Sequence, residues 1–265
     1  MLQILGYFPF GQPVRRLVQV DRSPKRVFVL GVYASAVHAR WVAPSGKQLV
    51  CALAVASEPY MFWRGEDAAA IIERVNVPAE AGALRPAAPA FNGPSGVALD
   101  ERFLHPLGLT RADAWLCDLV PHSCVNPAQQ RAISREYLPL RSQLGLPEPS
   151  VPPVPTRLAD TSRQDEIVDE LSESEASVLM LLGDEPVKWF LSQFDGGRRR
   201  LADFGTDADT YGRLHLVRIA QRAISVLPLV HPRQAAKLGR SSSRWYDLHR
   251  HWLARRAPDL LKEQS

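Results

Sequence analysis

Four short apolar runs, at 27–30, 114–117, 177–182 and 223–230, constrain this chain more than any other feature. Each is too short for a buried helix and almost wholly apolar, rich in Val, Leu or Ile in all but the Ala114-Trp115-Leu116-Cys117 run, so each reads as a strand covered on both faces. Helical signals fill the intervals. Asn92 or Ser95 can cap and Pro94 can start a helix that carries Leu99, Phe103 and Leu104 inward and stops at Gly108. Further helices are expected over about 128–144, over an acidic stretch from roughly 160 to 172, and after the turn at Gly183, with Val187, Phe190 and Leu191 on one face. Strands alternating with helices predict an α/β fold, a three-layer α/β/α sandwich around a mainly parallel central sheet. The first run ends at Gly31, the second delivers Asp118 at its C-terminal end, and the last ends at His231. Such strand ends are where open α/β sheets place ligands.

Size and composition narrow the class. A chain of 265 residues can bury a full core, and one domain over 1–265 is expected. No apolar run approaches the ~20 residues that span a bilayer, and the N-terminus has no basic-then-apolar leader, so a cytoplasmic monomer with no membrane partner is expected. Cys51, Cys117 and Cys124 form no CxxC pair, which argues against a disulfide framework; no metal and no cofactor are expected. The net charge of +4 is modest, but it is unevenly spread. Residues 231–256 hold seven Lys/Arg against one Asp, whereas 160–175 hold seven acids against Arg163 alone. That asymmetry suggests a basic face for phosphates and a remote acidic one, or two ordinary solvated helix surfaces. Arg15, Arg16, Arg22 and Lys25 extend the basic character into an N-terminal arm.

The order of motifs resembles the uracil-DNA glycosylase superfamily. Phe91 precedes a Gly93-Pro94-Ser95-Gly96 turn, a helix follows, then Gly108-Leu109-Thr110-Arg111-Ala112-Asp113 and a strand reaching Asp118. Gly31 after the first strand and His231-Pro232 after the last complete the order. The resemblance covers most of 25–250 apart from an insertion at 42–88. In it, a hairpin across Pro44-Ser45-Gly46 would extend the sheet and a helix would run from 66 to 75. Ser57 to Trp63 between them reads as a ligand-facing lid or as a hydrophobic plug with Glu58 solvated. The four cysteines of the iron–sulfur branches of the family cannot be supplied.

What the resemblance implies is a DNA partner and removal of a base after it is flipped from the stack. Phe91 takes the stacking position, unless it is a core aromatic. His231 takes the position that stabilises negative charge on the departing base, as an oxyanion hole does. Arg233, Gln234, Lys237, Leu238 and Arg240 match the segment that grips phosphates and wedges into the vacated stack, with Leu238 or Gln234 as the wedge. Two departures bear on substrate. Asp118 stands where many members have Asn; an ionised Asp only accepts, which suits the 4-amino group of cytosine and repels O4 of uracil. A strand-end cap or an Arg partner is the structural alternative for it. Ser35 stands where uracil-specific members have a Tyr that blocks C5, so a 5-modified cytosine would fit. The first loop has Val32, Tyr33 and Ala34 where the family has its carboxylate and proline, which leaves His38, Glu58 or Asp118 to activate water. The expected function is therefore a monofunctional DNA glycosylase for a modified cytosine, in a setting such as defence against phages with modified DNA. Alternatives are a uracil or deaminated-base repair enzyme and a DNA-binding module of the same fold without catalysis.

Overall fold

All four apolar runs are strands, because residues that alternate between two covered faces must be apolar on both. The computed structural model describes residues 3–238 and 242–261. Among them the strands are β1 (Ile4–Tyr7), β2 (Pro13–Arg15), β3 (Val27–Tyr33), β4 (Ala36–Val42), β5 (Gln48–Ser57), β6 (Ala83–Pro86), β7 (Ala114–Val120), β8 (Val178–Leu182), β9 (His215–Ile219) and β10 (Arg222–Leu229). The α-helices are α1 (Ala68–Glu73), α2 (Pro94–Leu99), α3 (Pro127–Ala132), α4 (Leu138–Leu144), α5 (Thr161–Glu173), α6 (Asp184–Trp189), α7 (Pro232–Ala235) and α8 (Ser243–Arg255). Two compact units share the chain in alternating pieces. One takes the stretches up to Leu17, Tyr33–Pro94 and Pro121–Thr156; the other takes Val18–Val32, Ser95–Val120 and everything described from Arg157 on.

The second unit holds a five-stranded sheet in the order β7-β3-β8-β10-β9. β3 runs parallel to β8 with Leu30 opposite Leu181, β8 runs parallel to β10 with Leu182 opposite Leu229, and β9 closes one edge antiparallel to β10. The expected mixed α/β class with a mostly parallel sheet is thus present. On one face Phe28, Leu30, Trp115, Cys117, Leu179 and Leu181 pack with Ile167 and Leu171 of α5. Asp160 caps α5 by accepting the Arg163 N–H at 2.9 Å. α2 continues through a widened turn over Asp100–Leu104 and ends at Gly108, as its sequence suggests. Arg111 fixes that segment, donating to Asp100 Oδ1 at 2.8 Å and to the Gly96 carbonyl at 3.2 Å.

The first unit corrects two expectations. The hairpin of β4 and β5 exists, but it does not extend the central sheet: β6 pairs with the free edge of β4 and closes a separate antiparallel sheet, β5-β4-β6. Asn92 caps no helix. Its side chain spans the main chain of His38 instead, accepting the N–H at 2.8 Å and donating to the carbonyl at 3.0 Å. The core is aromatic, with Phe10 edge-on to Trp41 and to Tyr137 at 5.4 and 5.1 Å. The Tyr137 hydroxyl donates to the Pro147 carbonyl and accepts the Phe10 N–H, which satisfies a polar group that would otherwise be stranded.

Backbone-to-backbone approach at two glycines holds the segment after β5. Gly93 lies at φ +74°, and a Cβ there would stand 2.0 Å from the Arg64 carbonyl carbon; one on Gly65 would stand 2.4 Å from the Asn92 carbonyl oxygen. Gly46, at φ +83°, has open space around it. Gly93→Ala should therefore cost more than about 2 kcal/mol, from left-handed strain plus overlap, whereas Gly46→Ala should cost about 1 kcal/mol from strain alone. Urea unfolding of both variants checks this; equal losses would mean that the contact relaxes without cost.

Candidate functional site

Asp118 is the most unusual side chain in the second unit. It lies inside β7, two residues before its end rather than at it, because β7 continues through the apolar pair Leu119-Val120. Trp115, Cys117 and Leu119 point to α5, so alternation turns Asp118 to the opposite face of the sheet. It is 3% exposed, and its carboxyl makes no hydrogen bond among the described residues. The Arg163 guanidinium passes it by, donating instead to the Asp118 backbone carbonyl at 2.7 Å, the Leu119 carbonyl at 3.2 Å and Cys117 Sγ at 3.1 Å. Neither structural alternative, cap or Arg partner, describes the side chain. Burial pushes its pKa up to about 7 while the charge on Arg163 pulls the other way. Near neutrality the acid and its anion coexist, which corrects the purely accepting, ionised Asp expected from the sequence.

His231 leaves β10 one residue beyond Val230 and caps α7, its Nδ1 accepting the Arg233 N–H at 3.2 Å. A nitrogen that accepts carries no proton, so in the neutral ring the proton sits on Nε2. Burial, with Arg233 assisting, pushes the pKa down to about 4. The imidazole is thus a neutral Nε2–H donor at physiological pH. Gly183, at φ +98° after β8, packs closely against it: a Cβ there would be 3.2 Å from that of His231. Gly31 is buried within β3, which runs on to Tyr33. From β3 the chain goes to one side, to β7, and then crosses to β8 on the other, so the topological switch lies between β3 and β8. Asp118 and His231 bracket it on the next strand outward in each direction, three spacings apart, or about 14 Å between backbones.

The remaining candidates belong to the first unit. Ser35 is clamped there: its N–H donates to Glu58 Oε1 at 3.2 Å and its carbonyl accepts the Ser123 hydroxyl. Glu58 is buried, not solvated, and Met61 and Trp63 are buried after it, so a carboxylate does reach the loop that lacks one in its own sequence. His38, in β4, has a buried Nδ1 without a partner and a pKa lowered by burial; its ring lies 6.5 Å from that of Phe91. Phe91 is 44% exposed and Tyr33 47%, so Phe91 is not a core aromatic.

The basic candidates divide. Arg233 and Lys237 are exposed, and Gln234 and Leu238 are half-buried; Arg240 lies outside the described residues. Lys237 lies over the Tyr246 ring at 5.1 Å. Arg22 and Lys25 are not free for phosphate: Arg22 pairs with Glu173, and Lys25 is buried on Asp21 and the Ala112 carbonyl. The acidic helix α5 is not wholly solvated either. Glu166 and Glu170 hold Arg163 at 2.8 and 3.1 Å, and Glu170 also accepts Trp115 Nε1 at 3.0 Å. Arg163 was visible in sequence as the lone base at i+3 and i+7 spacing from those acids. No local signal marks Tyr211 or His249, which lie behind His231.

The described residues contain no group of His, Cys, Asp and Glu able to hold a metal ion, and no helix long and apolar enough to cross a membrane. No family model and no curated protein matches the chain. Fold and site thus define an α/β protein with a mostly parallel sheet, a buried acid of raised pKa and a neutral histidine donor flanking its switch point.

The raised pKa of Asp118 carries a sign. Between about 4 and 7 the folded chain holds a proton there that the unfolded chain has released, so this residue's contribution to stability falls as pH rises, by an amount on the order of 4 kcal/mol. His231, with its lowered pKa, works in the opposite sense below pH 6.5. Asp118→Asn should therefore gain stability relative to the parent chain from pH 4 to 7 and level off above. Urea unfolding of both proteins across that range checks it; a pH-independent difference would place the Asp118 pKa in the ordinary range.

Proposed function

We propose that this protein is a monofunctional DNA glycosylase of the uracil-DNA glycosylase-like, three-layer α/β/α type, hydrolysing an N-glycosidic bond to leave an abasic site. The observation that carries this is the pairing of Asp118 and His231 around the switch point: a partnerless acid that can read the edge of a base, and a neutral donor that can receive charge. Leaving-base departure develops negative charge on the pyrimidine. A neutral Nε2–H with a preset tautomer stabilises that charge without first losing a proton. β7 and β10 lie three strand spacings, about 14 Å, apart in the sheet, a lateral span wide enough for a heterocycle. In the same reading Arg233, Lys237 and Arg240 take phosphates.

Modified cytosine remains the favoured substrate, since ionised Asp118 accepts from a 4-amino group. A uracil-type substrate is favoured by the other charge state. A neutral carboxylic acid both donates and accepts, so it complements O4 and N3–H as well. Base preference should accordingly depend on pH, with cytosine discrimination growing as pH rises through 7. Defence against phages with modified DNA is the biological setting that fits a cytosine enzyme, and base-excision repair the one that fits a uracil enzyme.

His231→Ala should slow cleavage by about 100- to 1,000-fold with DNA binding nearly unchanged. Asp118→Asn should shift the cytosine-to-uracil preference by roughly ten- to a hundredfold at pH 8, the worth of one good base-edge match, and by less at pH 6. Abasic-site formation on duplexes carrying uracil, cytosine, 5-hydroxymethylcytosine or its glucosylated form measures both. Binding without cleavage of any base would leave a DNA-binding module; equal loss on every base in Asp118→Asn would remove base reading from that residue.

A further inference from the structure

Behind His231 lies a buried polar chain that the mechanism does not yet use. β10 ends at Leu229, and the next amide, that of Val230, is outside the strand. It donates to the Tyr211 hydroxyl at 3.1 Å. That hydroxyl in turn lies 2.8 Å from His249 Nδ1, and His249 Nε2 lies 3.0 Å from the Arg102 carbonyl. Tyr211 is 2% and His249 1% exposed, so no solvent competes for these bonds.

The proton positions follow from valence. A carbonyl only accepts, so His249 Nε2 carries the hydrogen and Nδ1 of the neutral ring is left as an acceptor. Tyr211 must then donate to Nδ1, which turns a lone pair of its oxygen to the Val230 N–H. Every group in the chain has one orientation. Surrounding packing holds it rigid: Phe103 and Trp252 lie against the His249 ring at 4.7 and 5.2 Å, and Trp252 Nε1 donates to the Gly212 carbonyl at 3.0 Å.

We propose that Tyr211 and His249 are positioning residues for His231: through the Val230 amide they fix the direction in which the chain leaves β10, and with it the aim of the His231 Nε2–H. This rests on the reading of His231 as the donor to the departing base. The geometric logic is short-range, because Val230 is bonded directly to His231 and the imidazole has a second anchor, the Arg233 N–H, only two residues on. Releasing the first anchor lets the ring swing about the second. Misplacement by about 1 Å is enough to cost a catalytic group about a hundredfold.

Tyr211→Phe removes only the hydroxyl. It should slow single-turnover base release from a duplex holding uracil or 5-hydroxymethylcytosine by about 10- to 100-fold, with KM unchanged. In protein labelled with 15N-histidine it should also turn the single Nε2–H tautomer signature of His231 into a mixed one. Tyr137→Phe is the control, since it deletes another buried tyrosine hydroxyl, with its bonds to the Phe10 N–H and the Pro147 carbonyl, without touching the Val230 chain; it should lower stability while leaving rate and tautomer alone. Equal rate losses in the two variants, or an unchanged His231 signature in Tyr211→Phe, would overturn the proposal. Should Tyr211→Phe fail to fold, His249→Gln removes the acceptor that orients the hydroxyl and is read the same way, and fast exchange of the Val230 amide in the parent protein would be equally fatal. If the parent protein releases no base from any of these duplexes, the glycosylase reading falls, and the substrate-free histidine spectrum still decides the positioning role.

Discussion

Arg163 is the interaction on which the second unit depends. A guanidinium that is 9% exposed must be paired and fully hydrogen-bonded or it would not tolerate burial. Two acids of its own helix compensate the charge, and its remaining donors reach across to the edge strand, taking the carbonyls of Asp118 and Leu119. On an open sheet those groups would invite another strand. Gln19 completes the cover by accepting the Leu116 N–H at 3.1 Å. The clamp holds the β7 main chain from the α5 side, and that leaves the Asp118 side chain on the other face, aimed away from the positive charge that would have neutralised its character.

Burial then acts on acid and base in opposite directions. Desolvation raises Asp118 and lowers His231, because in each case it disfavours the charged form. Near neutrality His231 is consequently uncharged and Asp118 carries only part of its charge, in a chain whose net charge is +4.

How much of this was legible in sequence follows from range. Four of the five strands of the central sheet were visible as runs because burial on both faces leaves few polar positions, and Gly108 was visible as a stop because a helix end at φ +69° favours glycine. The position of Asp118 was misread by two residues, since Leu119 and Val120 extend the strand and nothing local distinguishes them from the start of a loop. The partner of the β4–β5 hairpin was not legible, because β6 is a four-residue strand with no apolar pattern of its own. Glu58 meeting Ser35, and Tyr211 meeting Val230, join residues 23 and 19 positions apart. Contacts of that kind are set by the tertiary path and leave no periodic trace.

The interleaving of the two units has a consequence for how the chain comes into being. β3 and β8 are neighbours in the sheet, with Val27 opposite Val178, yet one leaves the ribosome 151 residues before the other. At ordinary elongation rates that is a wait of about 8 to 30 s during which β3 has only β7 of its two sheet neighbours available. Neither unit is a contiguous stretch: the first is complete once Thr156 has emerged, whereas the second waits for everything from Arg157 on. The central sheet therefore closes late, only once residues well past 180 have emerged.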